Sequence, residues 1–283
     1  MKLAVDSGST KTDWGFFNTI QDLRIIKTQG LNPCHQPIDE IKDIIENELI
    51  KNIQGVDPGS VSEVFYYGAG CATETICAQM AAILSEFFPN AAISVDSDML
   101  GAARALCGHA EGVACVLGTG SNSCLFDGKD IVDQVPSLGY ILGDEGSSAA
   151  LGRRLISDCL KRQLPESVSQ EFMQRYSLTK DIIIENVYRK PLPSRYIAGF
   201  SPFLYEKRSI PEVHKLIIQC FSEFFTRNVI NYHKPWLPVH FVGSLANSFS
   251  AELTETAESL GMTIGKIEAS PMGGLVEYHS QPA

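Results

Sequence analysis

Short apolar blocks separated by small and polar residues fill the first thirty positions, a pattern that predicts strands and tight turns. Lys2–Asp6 reads as an apolar strand, Ser7-Gly8-Ser9-Thr10-Lys11 as a turn, and Thr12–Asn18 as the returning hairpin strand. Leu23–Gly30 reads as a third strand. At Pro37 the period changes: Ile38, Ile41, Ile44, Ile45, Leu49 and Ile53 recur at helical spacing behind a proline suited to a helix start. Val61–Tyr67 predicts a buried strand ended by Gly68-Ala69-Gly70. Ala72–Phe88 predicts a second helix, with Ile76, Met80, Ile83, Leu84 and Phe87 on one face, and Ala91–Val95 the next strand. A β-β-β-α-β-α-β order implies a mixed sheet with helices packed on it.

The layout then recurs in part. Gly112–Leu117 and Asn122–Phe126 read as a second hairpin around Gly118-Thr119-Gly120-Ser121. The repeat is one of layout and not of residues. A long helical region is expected from about Ser147 to His233, strongest over Pro211–His233, where Leu216, Ile217, Cys220, Phe224 and Val229 share a side. Val239–Val242 reads as a buried strand, followed by Gly243-Ser244, a helix near Ser248–Leu260 and a last strand at Met262–Ile267. Pro271-Met272-Gly273-Gly274 leads into the C-terminal segment. No stretch reads as a disordered linker, so a boundary near residues 100–110 is expected to be a hinge between packed lobes.

Composition narrows the function. The 283 residues suit one large domain or two ordinary ones, and a 44% apolar content can fill a core. With 23 Lys+Arg against 33 Asp+Glu the net charge is −10, which argues against a nucleic-acid binder working through a basic surface. Small anions remain open, because backbone N–H groups bind phosphate without net positive charge. The N-terminus lacks an apolar signal-peptide core, and no apolar run approaches the ~18 residues of a membrane span. None of the eight cysteines forms Cys-x-x-Cys and none of the six histidines His-x-x-x-His, so zinc and thioredoxin-type chemistry lack support. The cysteines read as small core residues of a reduced, cytoplasmic protein.

Four loops concentrate Gly, Ser, Thr and Asp behind apolar strands, where ligands collect in α/β sheets. In Asp6-Ser7-Gly8-Ser9-Thr10-Lys11-Thr12, small residues let N–H groups approach phosphate, Ser9, Thr10 and Thr12 offer hydroxyls, Lys11 offers charge, and Asp6 is a candidate Mg²⁺ ligand. It is not a Walker A loop, and taken alone it reads as an ordinary turn. Asp98 precedes a run of helix formers, so position favours a helix N-cap, with a general base as the functional alternative. Gly118-Thr119-Gly120-Ser121-Asn122 pairs with the first loop as a second phosphate cradle. Gly143-Asp144-Glu145-Gly146-Ser147-Ser148 opens a helix; its acids either favour the helix dipole or meet sugar hydroxyls or a metal.

With these loops in order, the chain resembles the sugar-kinase/heat-shock-chaperone/actin superfamily of ATPases. Within it, the chain is similar to the branch of N-acetylglucosamine kinases and BadF/BadG/BcrA/BcrD-type ATPases. The residues that carry the likeness are Asp6–Thr12, Asp98 with Gly101-Ala102, Gly118–Asn122, Gly143–Ser147, Phe241-Val242-Gly243-Ser244 and Pro271–Gly274. The resemblance implies an α/β fold of two ribonuclease H-like lobes, each a mixed sheet flanked by helices, with an interlobe cleft. Residues 1–106, with 268–283 returning, would form one lobe and 107–267 the other. It further implies ATP and Mg²⁺ held by Gly8, Ser9, Thr10, Lys11, Thr12, Gly118, Thr119, Gly120, Gly243 and Ser244, with Asp6 toward the metal. Asp98 would be the base acting on a sugar's primary hydroxyl, and Asn32, Asn122 and Asp144 would be sugar contacts beside it.

Three departures stand out. Leu138, in Ser137-Leu138-Gly139-Tyr140, occupies the position of a tryptophan common in the N-acetylglucosamine kinases. The loop at Gly243 reads Gly-Ser-Leu-Ala in place of Gly-Gly-Val-Ala, and the closing helix after Gly274 must be short or incomplete. The first expectation is a kinase acting on an amino sugar, most readily N-acetylglucosamine, as a homodimer by family likeness. The alternatives are an iron–sulfur ATPase activator of 2-hydroxyacyl-CoA dehydratases or benzoyl-CoA reductases, whose Cys-Ala-Ala-Gly-Thr-Gly segment is missing here, and a non-catalytic sugar or nucleotide sensor.

Overall fold

The computed structural model describes residues 1–8 and 10–281. Lys2–Ser7 (β1) and Lys11–Phe17 (β2) pair antiparallel, with Asp6 opposite Asp13 and Ser7 opposite Thr12. Arg24–Gln29 (β3) extends the hairpin antiparallel to β2. Glu63–Gly68 (β4) runs parallel to β1, and Ala92–Ser97 (β5) parallel to β4, giving the order β3-β2-β1-β4-β5. The apolar run Leu3-Ala4-Val5 is thereby central and covered on both faces.

Ile38–Ile44 (α1) continues through a π turn at Ile45–Leu49 and a 3-10 turn at Ile50–Asn52. Glu74–Phe87 (α2) starts where the Thr73 hydroxyl accepts from the Ile76 N–H, and Asp98–Cys107 (α3) follows β5. One face of the sheet (Leu3, Val5, Trp14, Val64, Tyr66) packs in a cluster with Ile41 and Ile44 of α1 and Met80 and Leu84 of α2. The other face (Ala4, Phe17, Tyr67) packs with Ala105 of α3 and with Met272, Leu275 and Val276 near the C-terminus.

Gly112–Leu117 (β6), Ser121–Phe126 (β7), Ile131–Asp133 (β8), Val239–Val242 (β9) and Ile264–Glu268 (β10) build a second sheet of order β10-β9-β6-β7-β8. Read from β8, this is the order of the first sheet: a hairpin whose leading strand has two parallel strands beyond it. The repeat of layout in the sequence is therefore a repeat of topology. The three-residue β8 was not expected, being too short to set up a pattern.

Between β8 and β9 lie Gly139–Leu142 (α4), Ser148–Leu160 (α5), Glu166–Arg175 (α6), Lys180–Tyr188 (α7), Pro193–Ala198 (α8), Ser201–Lys207 (α9) and Pro211–Arg227 (α10). Ser244–Ser248 (α11) and Ser250–Ser259 (α12) follow β9, and Met272–Ser280 (α13) follows β10. The expected long helical region is thus cut into pieces. Pro165, Pro193, Pro202 and Pro211 each stand at or next to a helix start, where a missing N–H costs nothing. The core here is aromatic, with the Phe172 ring 5.2 Å from both Phe200 and Phe203. No helix among the described residues is long and apolar enough to cross a membrane.

Two compact units result: Met1–Ala110 with Asp127–Ile131 and Ser270–Ala283, and Glu111–Phe126 with Val132–Ala269. In the first, α13 is fastened closely. The Tyr67 hydroxyl lies 2.8 Å from His279 Nε2, and the His279 ring stacks 3.6 Å from Phe65. Burial, with help from Arg104 and Lys2, pushes His279 down to about 3, so the ring is neutral at physiological pH. At Gly274 a Cβ would stand 2.1 Å from the Ala105 carbonyl oxygen, whereas at Gly273 it would meet nothing within 4 Å. Gly274→Ala should therefore lower unfolding stability by about 1–3 kcal/mol, the usual range for overpacking. Gly273→Ala should be neutral or up to about 1 kcal/mol stabilising through helix propensity. Urea unfolding of the two variants side by side checks the pair.

Candidate active site

In the first unit the parallel strands end level: Ser7, Gly68 and Ser97 stand in one row across β1, β4 and β5. The β1–β2 turn is closed by the Gly8 N–H donating to the Lys11 carbonyl at 3.0 Å. Beneath it the Ser7 hydroxyl donates to the Leu31 carbonyl (3.1 Å) and receives the Leu31 N–H (3.3 Å), with the Thr12 hydroxyl 2.8 Å away. Thr12 is fully buried. Its hydroxyl, 2.8 Å from that of Ser7, braces the turn from inside. Thr10 is exposed, and Ser9 lies outside the described residues. Lys11 reaches back to Asp13 Oδ2 at 2.9 Å.

Asp6 is the most perturbed acid of this region. Burial first, then the neighbouring Asp13 and Asp98 charges, push it up to about 7, with Lys11 offsetting part of the rise. Asp13 Oδ1 is buried without a hydrogen-bond partner. This under-neutralised acidic corner fits a divalent cation. No group of three or more His, Cys, Asp or Glu among the described residues makes a complete protein cage. Mg²⁺ does not need one, since it is commonly held by one or two carboxylates, water and substrate phosphate.

Asp98 is not the N-cap of α3. Ser97 is, its hydroxyl accepting from the Leu100 N–H at 3.2 Å. Asp98 is the first helical residue, and its Oδ1 accepts from its neighbour Met99 N–H at 2.8 Å. The side chain is accessible, yet the protein crowded around the carboxyl raises its pKa, with the Met99 N–H pulling the other way. A reachable carboxylate with raised basicity suits proton abstraction. Asn32 Oδ1 accepts from the Cys34 N–H at 3.1 Å, holding a turn whose Leu31 is tied to Ser7.

In the second unit the Gly118–Ser121 turn is gripped by the segment before α5. The Ser148 and Ala149 N–H groups donate to the Gly118 and Thr119 carbonyls at 2.9 and 3.1 Å. Asp144, in the left-handed region at φ +55°, accepts the Ser121 N–H on Oδ1 at 3.1 Å. Burial, with Glu145 adding, raises the Asp144 pKa, and the Ser121 N–H opposes it. The Ser121 hydroxyl donates to the Glu145 carbonyl, and the Glu145 side chain pairs with Arg227 at 2.7 Å. Since α5 begins at Ser148 behind a Ser147 cap, these acids serve the loop and not the helix dipole.

Asn122 Oδ1 accepts from the Ser123 N–H and from Gln134 Nε2, at 2.9 and 3.1 Å. Gly243 follows β9, which runs parallel to β6, and so emerges at the same edge as Gly118. Its φ of +129° and the Leu117 carbonyl, 2.2 Å from where a Cβ would sit, explain the glycine. Ser244 is exposed at the start of α11, and Leu138 is left-handed and 61% exposed. Sequence reasoning gave no role to Asp13 or Ser97 and named Ser7 and Ser121 only as members of their loops. Of these only Ser97 carried a usable signal, a serine at a strand–helix junction.

No family model and no curated protein sequence matches the chain. Solved structures do. A Porphyromonas gingivalis protein provisionally named an N-acetylglucosamine kinase is 47% identical, with 99% of both chains covered and a TM-score of 0.93. A Chromobacterium violaceum protein, also provisionally named an N-acetylglucosamine kinase, is 18% identical over 99% of both chains, at 0.72. A ROK family glucokinase from Streptomyces griseus, in complex with glucose and AMPPNP, is 13% identical over 98% of this chain and 97% of that one, at 0.58; like the second, it speaks for the fold alone. On the strength of the first likeness and of two sheets of one actin-type topology, this chain belongs to the N-acetylglucosamine kinase-like branch of the sugar kinase/actin ATPase superfamily.

Proposed function

We propose that this protein is an ATP-dependent sugar kinase that transfers the γ-phosphoryl group of ATP to the primary hydroxyl of an amino sugar, N-acetylglucosamine first. The observation that carries the reading is the 47% identity, over 99% of both chains, to a protein provisionally named for that activity. The accessible, basic Asp98 at a strand–helix junction supports it. The same reading brings with it Mg²⁺ as cofactor, a homodimer and a cytoplasmic setting.

In this reaction Asp98 takes the proton of the sugar hydroxyl as that oxygen bonds to the γ-phosphorus. The bond from γ-phosphorus to the bridging oxygen breaks, and ADP leaves. There is little covalent work for the protein beyond this, so rate comes from positioning and charge neutralisation. In the first unit, Gly8, Ser9, Thr10, Lys11 and Thr12 are assigned to the phosphates, Asp6 to Mg²⁺ and Asn32 to the sugar. In the second unit, Gly118, Thr119 and Gly120 are assigned to the phosphates, Gly243 and Ser244 to the nucleoside, and Asn122 and Asp144 to the sugar. Mg²⁺ when bound supplies positive charge to the phosphate oxygens.

Coupled ADP-release assays over N-acetylglucosamine, glucosamine, N-acetylmuramic acid, N-acetylmannosamine and glucose test the reading, with N-acetylglucosamine expected to be fastest. Binding of ATP and sugar without ADP release would replace it by the sensor, and a brown protein with stoichiometric iron by the activator. Asp98→Asn should lower kcat by ~10²–10⁴-fold, the usual contribution of a general base, with KM for ATP and sugar nearly unchanged. A variant keeping most of its activity would remove Asp98 from the role.

Asp6 adds a prediction with a definite sign. Its folded pKa of about 7 lies above the ordinary carboxylate value of 3.8, so the folded state holds the proton more tightly than the unfolded one. The penalty of ionising it is absent below pH ~4, grows as pH rises and is complete above ~7. Metal-free Asp6→Asn should therefore melt higher than wild type at pH 8, with the gain vanishing near pH 4. A gain that is flat with pH would show that Asp6 ionises freely.

A further inference from the structure

The turn that carries Asn32 meets the loop that follows β4, and the meeting point is a glycine. Gly70 lies in the left-handed region at φ +85°. A Cβ on it would stand 2.4 Å from Asn32 Oδ1, 3.2 Å from Asn32 Cγ and 3.3 Å from Cys34 Sγ. The Asn32 carboxamide therefore rests against bare backbone and fills the space that a side chain at position 70 would take. The Cys34 thiol ties the two segments, donating to the Gly70 carbonyl at 3.1 Å.

Both partners of this contact are anchored to the same strand end. The Ser7 hydroxyl holds the Leu31 carbonyl, and the Ser7 carbonyl accepts the Ala69 N–H at 2.8 Å. Asn32 and Gly70 are the next residues along each segment. The turn itself is braced: Gln36 Oε1 accepts the Asn32 N–H at 2.6 Å, and the Asn32 carbonyl accepts the His35 and Gln36 N–H groups at 3.0 Å. The amide is fixed in orientation as well. Asn32 Oδ1 accepts the Cys34 N–H at 3.1 Å, which only the oxygen end can do, so the Nδ2 end with its two N–H donors points away from that contact. Gly68, two residues before Gly70, is level with Ser97 at the β5–α3 junction, next to Asp98.

We propose that Gly70 is a positioning residue for the sugar: it leaves its side-chain space to Asn32 and, with the Cys34 thiol as the tie, sets where the Asn32 amide is presented. The inference rests on the reading of Asn32 as a sugar contact. A positive φ alone accounts for a glycine at position 70, but not for its fit against Asn32. Gly55 supplies the comparison, with φ +73° and nothing within 4 Å of where its Cβ would sit.

The test is a cycle of Asn32→Ala, Gly70→Ala and the double variant, assayed for KM toward the fastest sugar of the panel above and toward ATP. Gly70→Ala should raise the sugar KM roughly 2–10-fold, the worth of one neutral hydrogen bond, with KM for ATP unchanged. In the Asn32→Ala background, where the atoms a Cβ would strike are gone, Gly70→Ala should add nothing to the sugar KM. Gly55→Ala, which brings left-handed strain without a neighbour, should lower the melting temperature and leave both KM values alone. An unchanged sugar KM in Gly70→Ala, or an effect that adds in full to that of Asn32→Ala, would overturn the proposal. If Gly70→Ala does not fold, Cys34 decides, because it is exposed and its substitution spares the core. Cys34→Ala should then raise the sugar KM, and Cys34→Ser, which keeps a donor for the Gly70 carbonyl, should restore it; equal values in the two would overturn the proposal. If Asn32→Ala leaves the sugar KM untouched, the sugar-contact reading fails and the proposal with it. If Asn32→Ala raises it and Gly70→Ala does not, only the Gly70 proposal fails.

Discussion

Parallel pairing sets the carboxyl ends of neighbouring strands at one edge of a sheet, and everything assigned to chemistry in this chain hangs from such an edge. In the first unit, β1, β4 and β5 end in the row Ser7, Gly68, Ser97, which puts the Asp6 corner and the Asp98 junction two strand spacings apart, about 10 Å. The start of β2 and the end of β3 meet at the same edge, Lys11 opposite Gln29, so the Asn32 turn emerges there too. In the second unit the parallel pair β6 and β9 does the same for Gly118 and Gly243. Neither arrangement depends on an unusual residue; it follows from strand direction.

What distinguishes the edge of the first unit is how many polar groups it holds at a cost. Asp6 is pushed up to about 7, Asp13 Oδ1 has no partner, and Tyr66 keeps a buried phenol unpaired. A stability-optimised sheet end would replace all three with apolar residues. The second unit handles its turn differently. There nearly every group is spent, with the α5 N–H groups, Asp144 and Ser121 locking the Gly118–Ser121 loop into one shape. One unit keeps charge in reserve, and the other keeps backbone geometry fixed.

Much of this was legible in sequence, for identifiable reasons. Strands such as Gly112–Leu117 and Val239–Val242 were found because central, doubly covered strands read as apolar runs. The loops were found because only small residues fit where backbone must approach a ligand or another strand, as at Gly243. Side-chain roles were less legible, because they depend on partners far along the chain. Thr12 looks like an outward hydroxyl of a turn, whereas it is buried against the Ser7 hydroxyl, which in turn is held by Leu31. Asp98 looks like a cap until Ser97 takes that task, and Asp144 reads as a sugar contact although its Oδ1 is given to Ser121.

The fastening of α13 has a consequence for synthesis. Met272, Leu275 and Val276 complete a core that begins at Ala4 and Phe17, yet 159 residues separate Ala110 from Ser270. At ribosomal rates of about 5–20 residues per second, the first unit waits roughly 10–30 s for its last helix. During that interval the seat formed by Ala4, Phe17, Tyr67 and Ala105 lacks its cover. Apolar surface left open for that long favours misassociation, and the second unit, Glu111–Phe126 with Val132–Ala269, can be complete before the first.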